Sequence, residues 1–266
     1  MNEALERALH RRLLFTFTTG RSGTDYLARA LGSFARVHAE HEPKPTFASA
    51  WRTVLAHPET AREFWLEHKL PRIARSHAPI YAETSHLACK GFLESLIELG
   101  ALPTVLHLVR PSRDVARSLW TLGTVPGRTF KGVKYYHSPD DPRVLLATGG
   151  AHRTWHDYQL CYWYCLETEA RAQRFRARFE PLGVRVERVA IAQLTDAAGI
   201  RRLGDALDLG SFSTRGRIKL LGLTGRATNR KLAAKRPVAL PDDELARLEG
   251  EVERAVASAA GQSTSK

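Results

Sequence analysis

The chain has 266 residues, enough to bury a sizeable core as one α/β domain or as a domain with a small lobe. Its 43% apolar and 26% charged content exclude a disordered or fibrous protein. A formal net charge of +12 favours anionic partners such as nucleic acid, an anionic membrane surface or a polyanionic small ligand, although arginine spread along the whole chain serves plain solubility equally well. Three cysteines, Cys89, Cys161 and Cys165, make no disulfide framework and point to a reducing compartment. Cys161 and Cys165 share a helix face but lack the further ligands zinc requires, so buried packing is expected. The first residues have no signal-peptide core and no run approaches a membrane span, so a cytoplasmic location is expected.

In chain order, residues 3–10 are predicted helical. "LLFTFT" (13–18) is predicted as a buried strand ending at a glycine turn. From Thr24 a helix places Leu27, Ala30, Leu31 and Phe34 on one face, and "HAEHEPKPTFA" (38–48), with two prolines, is predicted as a polar loop. Helical spacing resumes over 47–76. "PIYAETS" is a short strand candidate leading into a helix over 86–99, and 104–109 is a second clear strand followed by a helix. Residues 121–150 are rich in Gly, Pro, Lys and Tyr and are predicted as an irregular lid or excursion. A long helix over 151–180, a strand at "VRVERVAI", a helix over 193–207 and a helical tail over 240–258 complete the chain. Strands alternating with helices predict an α/β fold, a central parallel sheet with helices on both faces, and a single domain over 1–266.

Two stretches carry chemistry. In "LLFTFTTGRSGTDYLARAL", a strand runs through glycines three apart into a helix, which is how a phosphate cradle reads. Gly20 and Gly23 let the backbone approach an anion, and the N–H groups from Ser22 to Asp25 would face it. Arg21 adds a forked donor, and Ser22 and Thr24 add hydroxyls. A nucleotide kinase would show Gly-Lys-Ser or Gly-Lys-Thr here. Asp25, an acid inside an anion cradle, must point away. In "LVRPSRDVARS", Arg110 follows a strand at the end where open α/β sheets bind ligands, and Ser118 lies eight residues on. Alone, this second stretch fits a solvated sheet edge equally well.

Together the two stretches resemble the sulfotransferases that use 3′-phosphoadenosine 5′-phosphosulfate (PAPS), in particular bacterial and carbohydrate-type members. "TTGRSGTDYL" is similar to that family's 5′-phosphosulfate loop and "RPSRDVARS" to its 3′-phosphate motif. The resemblance implies a P-loop NTPase-like three-layer fold. It also implies PAPS as co-substrate, with Gly20, Arg21, Ser22, Gly23, Thr24 and Asp25 around its 5′ end and Arg110 and Ser118 on its 3′-phosphate. No metal is implied: a sulfuryl group carries less charge than a phosphoryl group, so fixed cations and N–H groups suffice. Glu83 is the one acid worth testing as a magnesium ligand.

Cytosolic small-molecule members of that family carry Lys-Thr-His before the second motif. The matching place here reads "CKGF", where Lys90 survives and Phe92 replaces the His. Other members use a Glu before Pro in the loop after the first helix, which implies Glu42 as the base, ahead of His41 or His86. Arg21 and Lys90 would then stabilise the sulfuryl group. "YAETSH" is expected to wall the acceptor with Glu83 and His86, although a strand end capped by Ser85 explains it as well. Residues 215–236 hold eight Lys or Arg and no acid. The family's basic closing loop makes Arg226, Asn229, Arg230 and Lys231 candidates to cover PAPS. Trp155, Tyr158 and Tyr162 recur at helical spacing and are expected in a core, whereas Tyr135 and Tyr136 are expected to touch the acceptor. A small-molecule or carbohydrate acceptor is expected, with sugar, lipid, phenol and peptide hydroxyls all open, and no nucleic acid is expected as partner. Two rivals are an ATP-dependent phosphotransferase that requires Mg²⁺ and a non-enzymatic nucleic-acid binder using the basic run.

Overall fold

The computed structural model describes residues 3–223 and 240–263. It divides into two compact units, Met1–Val109 with Arg176–Arg230 and Arg110–Phe175 with Lys231–Lys266. In chain order the elements of the first are α1 (Glu3–Leu9), β1 (Arg12–Phe17), α2 (Thr24–Leu31), β2 (Val37–His41), α3 (Trp51–Ala56) and α4 (Thr60–Phe64). A π-helical turn (Trp65–Lys69), α5 (Leu70–Ala74), β3 (Ile80–Thr84), α6 (Phe92–Glu98) and β4 (Thr104–Val109) follow. Next come α7 (Ser112–Thr121), α8 (Phe130–Tyr135) and α9 (Asp157–Phe179), then β5 (Arg185–Ala190), α10 (Ala197–Ala206), α11 (Thr214–Leu223) and α12 (Asp242–Ser263).

All five strands lie in one sheet of the first unit, in the order β2-β3-β1-β4-β5, and every pair is parallel. The run of buried residues in β1 fits a central strand covered on both sides. Leu14 packs in a cluster with Leu27 and Leu31 of α2 and with Ile200 and Leu203 of α10. Phe15, pointing to the opposite face, meets the edge of Trp65 with ring centroids 5.4 Å apart. The expected α/β architecture, a parallel sheet between helical layers, is therefore present.

The strand order also locates the ligand end. From β1 the chain passes through α2 outward to β2. From β3 it passes through α6 in the opposite direction, across β1, to β4. The carboxyl ends of β1 and β3 are thus a topological switch point, where open α/β sheets form their crevice.

The second unit is built around aromatic side chains. Val115, Val125, Tyr136, Trp155, Tyr158, Trp163 and Tyr164 are buried together with Leu245, Leu248 and Val252 of α12. Trp155, Tyr158 and Tyr162 are core residues, as their spacing predicts. Residues 121–150 belong to this unit; beyond the end of α7 their one regular element is α8.

Three elements differ from expectation. Val37–His41, overlapping the start of the stretch expected as a loop, is strand β2, in register with β3 from Val37↔Ile80 to His41↔Thr84. Its prolines come only after the strand, and an edge strand tolerates polar residues because part of it faces water. The helix expected from residue 86 begins at Phe92, because Gly91 adopts φ 95 and the preceding residues turn first. Helix α11 had no counterpart in the periodicity. No helix among the described residues is long and apolar enough to cross a membrane.

Candidate functional site

The loop between β1 and α2 begins at the switch point. Thr18 Oγ1 donates to the Leu108 carbonyl at 2.6 Å, fastening the loop to β4. Ser22 is buried and its hydroxyl bonds that of Thr19. Arg21 is held at φ 67 and Gly23 at φ 97. The left-handed region is costly for an arginine and free for glycine, so the loop's neighbours enforce its curl. The N-cap of α2 is Gly23, which has no side chain with which to cap the first turn. An uncapped helix start behind a curled loop can offer its N–H groups and its positive dipole end to an anion. Asp25 resolves the difficulty its position raised. Its carboxylate pairs with Arg29 one turn along α2, at 3.2 Å, and so lies along the helix.

The end of β3 joins this loop to the candidate base. Thr84 Oγ1 donates to the Thr24 carbonyl at 2.9 Å, at the start of α2. The Thr84 carbonyl accepts from the Glu42 N–H at 3.3 Å and from His41 Nδ1 at 2.9 Å. Ser85 exchanges two 2.8 Å bonds with Thr16 of β1, its carbonyl accepting from Oγ1 and its N–H donating back. Glu42 Oε1 lies 2.9 Å from His86 Nδ1 and 3.5 Å from Ser85 Oγ. Glu42, His86 and Ser85 are therefore gathered at one point, with Glu42 in a left-handed conformation at φ 46. Sequence reading named Glu42 and His86 separately. It missed Thr84, the residue that bridges base and loop, because a threonine at a strand end carries no signal of its own.

Electrostatics define the protonation state of the pair. Burial is the largest influence on Glu42 and pushes its carboxyl up, but the hydrogen bond and charge of His86, with His41 and Ser85, overcome it and hold the group at about 2. Burial pushes His86 down, against the pull of Glu42. At neutral pH the pair is a carboxylate and a neutral imidazole. A carboxylate only accepts, so Nδ1 carries the proton. Glu42 is the more open member, with 31% of its side chain exposed against 11% for His86.

Each of the other expected site residues has its own surroundings. Glu83, expected to face an acceptor or a magnesium ion, has no exposure; its Oε1 takes a 2.6 Å bond from Lys69 and its Oε2 accepts from Tyr81 at 3.2 Å. Burial, only partly offset by Lys69, pushes its carboxyl up to about 7. Lys90 is buried with its ammonium 4.1 Å from the centre of the Trp51 ring, although its charge also reaches His86. Phe92 is a core residue packed on Phe47 at 4.7 Å. Tyr136, expected at an acceptor, is buried in the second unit with its ring edge-on to Tyr164 at 5.0 Å. Tyr135 is partly buried against the same core. Arg110 pairs with Asp114 at 3.8 Å, and Ser118 is half-buried on α7; both belong to the second unit. Arg226, Asn229, Arg230 and Lys231 lie outside the described residues.

No protein-family profile matches the chain. No curated protein matches it either. Among solved structures, the sulfotransferase domain from the curacin biosynthetic pathway is similar over 95% of this chain and 98% of its own, with a TM-score of 0.54 and 12% sequence identity. Likeness at that identity speaks to fold, and function has to be argued from the site. The chain has the P-loop-like fold of a sulfotransferase domain.

Proposed function

We propose that this protein is a sulfotransferase that moves the sulfuryl group of PAPS to a hydroxyl of a small-molecule or carbohydrate acceptor. The observation that carries the reading is the Thr84 bridge, which ties an arginine-bearing anion loop to an acceptor-side carboxylate at the switch point of a fold shared with a sulfotransferase domain. In this reading Arg21 and the N–H groups from Ser22 to Asp25 hold the 5′-phosphosulfate. Arg110 and Ser118 are assigned to the 3′-phosphate on their motif.

The acceptor oxygen attacks sulfur in line, the bond from sulfur to the bridging oxygen breaks, and adenosine 3′,5′-bisphosphate leaves. Glu42 takes the hydroxyl proton. A carboxylate held at about 2 is a feeble base toward a free alcohol. The hydroxyl becomes strongly acidic as its oxygen bonds to sulfur, so proton capture late in the displacement is within reach of such a group. Before that moment Glu42 accepts a hydrogen bond and aims the nucleophile. Arg21 and the loop N–H groups meet charge developing on the leaving oxygen without reorganising.

The test is incubation with ³⁵S-labelled PAPS and a metabolite extract, with labelled products identified by mass spectrometry. Calorimetric titration of adenosine 3′,5′-bisphosphate and of ATP, with and without Mg²⁺, runs in parallel. Arg21→Ala and Arg110→Ala are each expected to weaken binding of the bisphosphate. Glu42→Gln is expected to spare binding and lose turnover. Tighter, Mg²⁺-dependent binding of ATP, with no transfer of label, would overturn the proposal.

A further inference from the structure

We propose that the buried Lys69–Glu83 pair is a positioning device that holds the Glu42 carboxylate in place, an inference that rests on Glu42 being the proton acceptor. Both side chains have no solvent exposure and meet at 2.6 Å. The Lys69 ammonium also reaches the Pro43 carbonyl at 3.4 Å and lies 4.2 Å from the centre of the Phe47 ring. Those two contacts bracket the loop that follows Glu42, one at its first residue and one where the next helical turn, Phe47–Ser49, begins. Glu83 anchors the lysine to β3. The next three residues of the chain, Thr84, Ser85 and His86, hold the Glu42 N–H and one oxygen of its carboxylate, Oε1, which both Ser85 and His86 reach.

The contacts form a closed circuit. It runs from Glu42 to Pro43, across to Lys69, on to Glu83, and back through Thr84, Ser85 and His86. A glutamate at φ 46 persists only where its surroundings over-determine it, and this circuit supplies that constraint. Tyr81 braces the circuit from behind, its hydroxyl placed 3.2 Å from Glu83 and 3.1 Å from Glu40, which Arg72 holds in turn. Two charges sealed in a core add little net stability over an apolar pair of similar size. Their place directly beneath a strained loop gives them a geometric task instead. The π-helical turn ends at Lys69 and delivers this charged residue into the aromatic core of Phe47 and Trp65; such turns recur at functional sites.

The variant Lys69→Met/Glu83→Leu replaces the pair with apolar groups and leaves Tyr81 its bond to Glu40. The readout is the His86 ring proton on Nδ1, observed by NMR in the full-length protein and assigned by its loss in His86→Gln. The double variant is expected to keep a cooperative thermal melt while exchange of this proton with water speeds up about tenfold, the protection one hydrogen bond confers. A folded double variant whose ring proton exchanges as in wild type would overturn the positioning role. Should the double variant not fold, the isosteric Glu83→Gln is read the same way, with faster exchange expected and wild-type exchange overturning. The base assignment is judged separately, by turnover of Glu42→Gln. Wild-type turnover there removes Glu42 as base and leaves the ring-proton result intact.

Discussion

Substituting Gly23 by alanine perturbs the loop between β1 and α2, proposed to hold an anion, at the point where its geometry is most demanding. Two costs add. The backbone stands at φ 97, where an added Cβ costs about 1–2 kcal/mol. The new methyl would also stand 2.8 Å from Ile191 Cδ1 and 3.0 Å from its Cγ1. Ile191 must then leave its rotamer well, at about 0.5–1.5 kcal/mol. The expected loss is about 1.5–3.5 kcal/mol, measured by urea denaturation. Because the two costs are separable, a double-mutant cycle with Ile191→Ala is expected to show about 1 kcal/mol of coupling, leaving the backbone part in place. Calorimetry with adenosine 3′,5′-bisphosphate is expected to show weaker binding by Gly23→Ala, since the N–H groups that follow are displaced. A loss of stability under about 0.5 kcal/mol with unchanged affinity would refute the reasoning, and with it the claim that the loop's curl is enforced.

Three further outcomes are expected. Glu42 titrates at about 2 in the folded chain, below its ordinary 4.5, so it stabilises the fold above pH 4.5 and that contribution is lost as pH falls toward 2; melting temperatures measured from pH 6 to 3 should fall less steeply in Glu42→Gln than in wild type. Phe92→Ala removes a fully buried ring packed on Phe47 and Phe64 and is expected to cost about 3–5 kcal/mol in urea denaturation, whereas a cost below about 1 kcal/mol would show that the ring is not core. The three cysteines are buried and none is in a disulfide, and burial pushes the Cys161 and Cys165 thiols up. A thiol reagent such as DTNB is therefore expected to label none of them until denaturant is added, and prompt labelling of the native protein would contradict this burial.

Much of the first unit was legible because its signals are local. The strands Thr104–Val109 and Arg185–Ala190, the glycine turn and the helix from Thr24 each show in runs of adjacent residues, and their alternation dictates a parallel sheet. Strand β2 was not legible. "VHAEH" has only two apolar residues, Val37 and Ala39, among three polar ones, and becomes a strand because β3 offers a partner edge, which is tertiary information. The pairing of Glu42 with His86 was half legible: each residue stood out, but nothing in a 44-residue separation says that they meet. Lys69 was invisible for the opposite reason. A lysine inside a helical stretch reads as a solvated face, and only the fold shows it sealed against Glu83. Glu83 misled because a carboxylate at a strand end has the same appearance whether it faces a crevice or the core.

The π-helical turn at Trp65–Lys69 makes residue count, as much as residue type, a determinant of this site. Each residue of an ordinary helix turns the chain by about 100° and advances it about 1.5 Å. Deleting one residue within the turn would let α4 and α5 merge into a regular helix while leaving the composition nearly untouched. The wide turn itself would be gone, and with it the bulge that now sets the ammonium under the Glu42 loop. A homologue that keeps every polar residue named here but is one residue shorter between Phe64 and Leu70 would therefore lack the support this chain gives its carboxylate.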